Sequence, residues 1–363
     1  MGGKGAENMK ALNFPKPSVD SARYDNTVKE GFAKYPKRRE NYEKYLASPR
    51  SMEPDYLPIK IDFENVSRCN LHCDMCQVVT FEKNKRAEDM TLEDFVFMID
   101  ANIGLFEIKI QGLGEPFLHK HFVDMVKYAA DKYIWVRSTT NATLLHKDEN
   151  YKRIIDAGIG ELQISIDGTT KEVYEKIRKG SNFDLVSENC KKINTYCDEI
   201  GSDRTRMWAL LQNDNFHELY SFVKFAKELG FKRLAISMDV NGWGDEAWSE
   251  KNEKKRVSDR ITQEDIDALL AQAEGVGLDL SFWDISTKYT KANPCPWPFE
   301  RAFVSSDKKI VPCCMIGNPD IYNFGSALEF ELVWKGDGYA TFRKSHLDGQ
   351  IPKMCQFCYE KEV

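Results

Sequence analysis

Between residues 58 and 239, short β-rich runs alternate six times with longer stretches of helical period, and this alternation leaves few folds open. The runs cover 58–65, 106–112, 134–140, 161–168, 206–212 and 232–239. One intervening stretch opens on Thr91-Leu92-Glu93-Asp94, a helix-capping pattern, and several others end in glycine, as helices do. Strand–helix units in series predict a parallel sheet with right-handed crossovers. A doubly wound sheet and a partial barrel both satisfy the pattern. Either one places chemistry at the C-terminal ends of the strands.

The regions on either side read differently. Residues 1–57 are polar, with five prolines from Pro15 to Pro54, and read as an extension whose tyrosines pack on something else. The charged stretch 242–262 reads as a long loop, followed by one more helix and a further strand-like run at 278–284. The last seventy residues hold six of the thirteen prolines, half of the cysteines and a hairpin-like run at 303–314. A small, loop-rich module of this kind needs a metal site to hold it together. The expected organisation is an extension (1–57), a βα body (58–285) and a C-terminal module (286–363). Apolar runs are strand-length and no secretory h-region is present, so a cytoplasmic chain that does not cross a membrane is expected. A net charge of −6 argues against general binding to nucleic acid.

Ten cysteines in such a chain point to metal or redox work rather than disulfides. Cys190 and Cys197 lie seven residues apart on one helix face and read as buried small hydrophobes. The rest form two groups. Cys69, Cys73 and Cys76, spaced C-x3-C-x2-C, follow the first strand. Three thiolates suit three corners of a four-iron cube and leave the fourth iron open. Zinc is the competing occupant, with His72 the sole obvious fourth ligand.

The loop resembles the signature of the radical SAM superfamily, and three further motifs carry the resemblance in order along the strands. They are Gly112-Leu113-Gly114-Glu115-Pro116 after the second strand, Thr140-Asn141-Ala142 after the third, and Ser165-Ile166-Asp167-Gly168 followed by Arg178 after the fourth. The resemblance covers 58 to about 240 and implies a partial (β/α)6 TIM-like barrel. It implies a [4Fe-4S] cluster on the three cysteines, with S-adenosylmethionine on the open iron, and cleavage of that cosubstrate to a 5′-deoxyadenosyl radical. Gly112, Gly114 and Glu115 would hold its methionine amino group, Asn141 would lie by its ribose, and Ser165 and Arg178 would meet its carboxylate. Two departures stand out. Met75 occupies a position that is often aromatic, and Ala142 replaces a usual glycine, which argues against a left-handed φ there.

Cys295, Cys313, Cys355 and Cys358 offer four thiolates, and their spacing alone fits zinc or a second cluster. The surrounding segments resemble the SPASM/twitch extensions of the same superfamily, with enough cysteines for one auxiliary [4Fe-4S] cluster. By that resemblance Cys313 is the ligand and Cys314 a buried neighbour, while Lys308 stands at a turn where glycine is usual. Trp297, Phe299, Phe303 and Trp334 are expected to form the module's core.

An auxiliary cluster able to accept an electron points to oxidation of a secondary alcohol on a small polar substrate, such as a sugar, sugar nucleotide or cyclitol. The alternative is modification of a peptide or protein by thioether formation, epimerisation or crosslinking. Residues 1–57 look too short for a peptide-binding domain, which favours the small molecule. Either reaction needs a one-electron donor such as flavodoxin or ferredoxin. Candidate substrate contacts are Trp208, Gln212, Asn213, His217, Met238, Asp239 and Asn241, with Asp239 and Glu64 the positional candidates for a base.

Overall fold

The computed structural model describes residues 12–238, 240, 242–284 and 288–359. All six predicted strands are present: β1 (Lys60–Phe63), β2 (Glu107–Ile110), β3 (Trp135–Thr140), β4 (Glu161–Ser165), β5 (Thr205–Leu210) and β6 (Arg233–Ser237). Each pairs in parallel with the next, as the strand–helix rhythm requires. The run at 278–284 supplies a seventh parallel strand, β7 (Asp279–Trp283). The fold is the expected α/β, TIM-like one.

The C-terminal hairpin is joined to this sheet. Its first strand, β8 (Arg301–Val304), lies parallel to β1, and β9 (Ile310–Val311) turns back antiparallel to β8. The result is one nine-stranded sheet in the order β7-β6-β5-β4-β3-β2-β1-β8-β9. The turn between β8 and β9 puts Lys308 at φ 63°, the conformation that glycine favours, and its ammonium reaches Asp94 at 2.9 Å.

Helices cover the outer face of the sheet and bury the apolar side of each strand. Cys190 and Cys197 are part of that core, on the helix Phe183–Glu199. The inward positions differ. Lys109, Arg137, Thr139, Ser165 and Trp208 are each partly accessible between buried neighbours, so alternate residues line an open polar lumen.

Residues 12–57 close the lower end of that lumen. The segment carries α1 (Ser21–Lys34) and α2 (Pro36–Ala47). Arg23 donates to the carbonyls of Gly160 and Asp203, both at 2.9 Å, and lies over the Trp135 ring. Arg38 caps the carbonyls of Lys132 and Tyr133, and the amide of Phe282 in β7 donates to the Pro15 carbonyl. Glu107 and Glu161 sit at this end among arginines. Burial alone would raise both, but Arg301, Lys60 and Arg137 hold Glu107 at about 2, and Arg137, Arg206 and Arg233 hold Glu161 at about 2.

The sign follows directly. A depressed native carboxylate stabilises the fold above its unfolded pKa, and that stability is lost as pH falls toward 2. For Glu161 alone this amounts to roughly 3 kcal/mol. Glu161→Gln should therefore lower stability at pH 7 and flatten its fall between pH 5 and about 2, read from urea denaturation curves at several pH values.

The stretch 242–262 is not all loop. It contains the helix Glu246–Glu253, capped by Asp245, whose side chain accepts from the Trp248 amide at 3.0 Å. Trp248 and Asn252, one turn apart, form its buried face. No helix among the described residues is long and apolar enough to cross a membrane.

Candidate active site

The three-cysteine loop leaves the C-terminal end of β1 and is held on several sides. Arg68 forks onto Asp89 at 3.0 and 2.7 Å. The His72 amide donates to the Lys179 carbonyl, while its side chain is exposed and so a poor fourth metal ligand. The Met75 carbonyl accepts from Trp243 Nε1 at 3.4 Å and Asn252 Nδ2 at 3.2 Å. Met75 itself packs with Leu71, Val173, Ile177 and Val240, so its thioether fills apolar space.

Cys69, Cys73 and Cys76 line one cavity together with Gly112, Gly114, Glu115, Asn141, Ser165 and Arg178. The fold thus gathers every cofactor contact expected from the first four strands. The glycines are there for close approach. A Cβ on Gly112 would stand 2.3 Å from Glu64, and one on Gly114 would stand 2.4 Å from the Val66 carbonyl oxygen. Gly114→Ala must shift backbone, because the obstruction is main chain and not a flexible side chain. It should lose S-adenosylmethionine binding by equilibrium dialysis, whereas Leu113→Ala, on the intervening residue, should bind within a few-fold of the parent.

Glu115 spends most of its carboxylate inside the protein. It accepts from Thr140 Oγ1 at 2.7 Å, the Asn141 amide at 2.7 Å and the Phe117 amide at 3.3 Å, so it fastens the turn after β3 to the loop after β2. One acceptor direction remains for an amino group. Burial pushes it up to about 7 against those donors. The same turn overturns one expectation: Ala142 adopts φ 62° despite its methyl group. Its carbonyl is held by Asn189 Nδ2 at 2.8 Å and its amide by Thr140 Oγ1 at 3.0 Å, which keeps the left-handed turn in spite of about 1 kcal/mol of strain. Arg178 pairs with Asp167 at 2.7 Å, and its Nε is buried without a partner, a donor left over for a carboxylate.

The donor set suits an iron–sulfur cluster. Burial pushes the Cys69 and Cys73 thiols up to about 12, and a metal centre bound there would draw off their protons. Among the described residues, no three His, Cys, Asp or Glu side chains converge on a single point as one ion would require. The thiolates of a cube need no such convergence, because they occupy separate corners. When bound, the cluster supplies the electron that splits S-adenosylmethionine.

The second group also assembles. Cys313 lies near enough to Cys295, Cys355 and Cys358 that each raises its pKa further, on top of burial. The Cys295 amide donates to Tyr359 Oη at 2.7 Å, which in turn bonds His346 Nδ1 at 2.7 Å. Cys314 is half-buried beside Cys313, on which it acts more strongly than the other thiols, and it also feels Asp62, Lys109 and Arg301. Phe299 and Phe303 are buried in the module, whereas Trp334 joins the main core and donates to the Tyr56 carbonyl.

The candidate substrate contacts divide. Trp208 faces the lumen, 6.4 Å from Trp283. Gln212 lines a separate small cavity beside Lys176 and Asp214. Asn213 and His217 are exposed on the rim and Met238 is in the core, so none of the three reaches the site. Asp239 and Asn241 lie outside the described residues. Glu64 is no base. It accepts from the Leu113 amide at 2.9 Å, the Ser306 amide at 3.0 Å and Arg86 at 3.1 Å, with no exposure.

Sequence reasoning missed Trp243. It stands at φ 55° and walls both the cluster cavity and a neighbouring groove of about 460 Å³ that runs along the helix Glu246–Glu253 to Phe357 and Cys358. Positive φ is uncommon for a bulky residue, and here it accompanies the contact of the indole Nε1 with the Met75 carbonyl in the cysteine loop. Its only sequence signal is the Gly242-Trp243-Gly244 setting.

A βα barrel with three thiols above its first strand and four more beside its last hairpin defines a class of enzyme that cleaves S-adenosylmethionine at one cluster and carries another. Comparison with known proteins agrees. Residues 66–226 match the radical SAM superfamily and residues 295–359 match SPASM, an iron-sulfur cluster-binding domain. This chain carries a radical SAM domain and a SPASM domain. It is 23% identical over 322 residues to a PqqA peptide cyclase of Rhodopseudomonas palustris, covering 85% of this chain and 81% of that one. It is 24% identical over 311 residues to a tungsten-containing aldehyde ferredoxin oxidoreductase cofactor-modifying protein of Pyrococcus furiosus, covering 77% and 82%. Its fold is similar to Streptococcus suis SuiB bound to precursor peptide SuiA, with a TM-score of 0.60 at 14% identity over 93% of this chain and 75% of that one. It is also similar to BtrN in complex with AdoMet and 2-DOIA, with a TM-score of 0.52 at 15% identity over 85% and 96%.

Proposed function

We propose that this enzyme modifies a peptide or protein, abstracting hydrogen from one residue and forming a new bond or configuration there. The observation that carries the reading is the groove past Trp243. It lies across Trp243 from the cavity of the first cysteine group and reaches Cys358 of the second, an elongated course that suits an extended chain. The names of the relatives lean the same way, since the first of them is a peptide cyclase and SuiB was solved with a peptide. This reverses the order of the two readings drawn from sequence and sets the sugar or cyclitol oxidation second. Residues 1–57 offer no peptide-binding domain in their described part, which is engaged in closing the barrel, and the relatives named for peptides outweigh that argument. Either cluster would be reduced by a flavodoxin- or ferredoxin-type donor.

The test is isotopic. A fully deuterated lysate of the native host is divided by ultrafiltration into a peptide-and-protein fraction and a small-metabolite fraction. Each is incubated anaerobically with reconstituted enzyme, unlabelled S-adenosylmethionine and a reductant. Deuterium in the 5′-deoxyadenosine should come from the first fraction. Deuterium from the metabolite fraction alone would return the small-molecule oxidation to first place.

A further inference from the structure

The lumen beneath the cysteine cavity is rich in charge, and nearly all of it is paired. Lys60 and Arg301 pair with Glu107, Arg137 with Glu107 and Glu161, Arg206 with Glu161, and Arg233 with Glu161 and Asp203. Lys109 is the exception. Among the described residues no carboxylate lies within 4 Å of its ammonium, and its one hydrogen bond runs to Gln163 Oε1 at 3.0 Å. That oxygen is shared with Thr139 Oγ1 at 3.1 Å, and Thr139 lines the cysteine cavity. The next inward residue, Gln111 just past the end of the same strand, also lines that cavity, and its Oε1 is buried without a partner.

Asp62, its register neighbour on β1, meets part of the Lys109 charge but is shared with Arg301 at 3.7 Å, so a lysine whose one hydrogen bond runs to a neutral amide has charge left for a further partner. Burial and Arg137 pull Lys109 down to about 8, while Asp62, Cys314 and Glu161 oppose that shift, so it remains an ammonium at neutral pH. It is also partly accessible, which a structural ion in a closed core would not be. Beside it, an acceptor without a donor asks for an N–H. An ammonium and an amide oxygen two positions apart along the chain, on the same side of it, complement a carboxylate and an amide N–H of one extended substrate.

We propose that Lys109 anchors the substrate by a carboxylate, with Gln111 accepting an adjacent amide N–H, so that the residue presented to the cysteine cavity belongs to, or lies beside, an acidic residue of the peptide. This rests on the peptide reading above, and it adds the chemical class that the lumen selects.

Two measurements test it separately. In the first, the anaerobically reconstituted protein is reductively methylated with formaldehyde and labelling at Lys109 is read by peptide mapping. N-acetylglutamate should lower that labelling several-fold, and N-acetylglutamine should not. Equal effects, protection by glycerol phosphate alone, or an unlabelled Lys109 in the free protein would each overturn the anchor, the last because an amine closed to formaldehyde is closed to substrate. In the second, a random peptide display library is panned on the parent protein, Lys109→Met and Lys109→Glu. The parent should enrich Asp and Glu, Lys109→Met should lose that preference, and Lys109→Glu should favour Lys or Arg. Protection by N-acetylglutamate with no peptide enriched would keep the anchor and remove the peptide reading. Peptides enriched without acidic preference, and no protection, would do the reverse.

Discussion

Replacing Cys69, Cys73 and Cys76 together with alanine should abolish 5′-deoxyadenosine formation while leaving the second cysteine group loaded. The reason is architectural. The three thiols line the cavity that also holds the Gly112–Glu115 loop, Asn141, Ser165 and Arg178, and Cys295, Cys313, Cys355 and Cys358 assemble elsewhere. Iron after anaerobic reconstitution should fall from about eight per chain to about four. The cosubstrate cleavage rate should drop to the uncatalysed background, the largest effect foreseen for any variant here. Parallel loss of all iron would mean that the two groups do not load independently. Zinc retained throughout, with about four irons falling to none, would assign zinc to the second group.

Glu64→Ala should cost about 3–5 kcal/mol, because it leaves the Arg86 guanidinium without one of its two carboxylates in a buried setting. The damage is not local. One carboxylate joins the end of β1 to the Leu113 amide in the cofactor loop and to the Ser306 amide in the β8–β9 turn. Thermal unfolding should therefore shift markedly downward, and the C-terminal module should become more susceptible to proteolysis at Ser306–Lys309. Glu64→Gln keeps one acceptor and loses the charge, so it should fall between the two. A Glu64→Ala protein as stable as the parent would show that the junction is held by strand pairing alone.

The periodic part of this fold is legible in the sequence. Six β-rich runs alternating with helical stretches place the strands to within three residues at either end, and the spacing of the first three cysteines marks the end of β1 as the site. What the sequence hides is non-local. Nothing in Arg301–Val304 says that it will pair with a strand some 240 residues earlier, since β pairing has no local code. The helix Glu246–Glu253 is masked by charge on most of its surface, although Trp248 and Asn252 at i and i+4 trace its buried stripe. The Ala142 turn misleads for another reason: tertiary contacts from Asn189 hold a backbone conformation that the residue itself disfavours.

Lys109 was legible and went unread. Glu107 and Lys109 alternate with Ile108 and Ile110 on β2, and Gln111 just past its end continues the alternation. A strand covered on both faces reads as a continuous apolar run. Alternation in a parallel sheet therefore announces a polar interior, and the charged residues on that face belong to a chamber and not to the exterior.

The pairing of β8 with β1 bears on electrons as well as on shape. Thiol group one leaves the top of β1, and thiol group two is carried on segments that flank β8 and β9. Among the described residues, hydrogen-bond register within a single sheet ties the start of the first group to the hairpin that carries Cys313. Tunnelling between two redox centres decays steeply with distance, so with a cluster in each group this register would govern the rate of any electron exchange between them. A carrier docking from outside would have to find its place each time; here the tie is written into the peptide ladder.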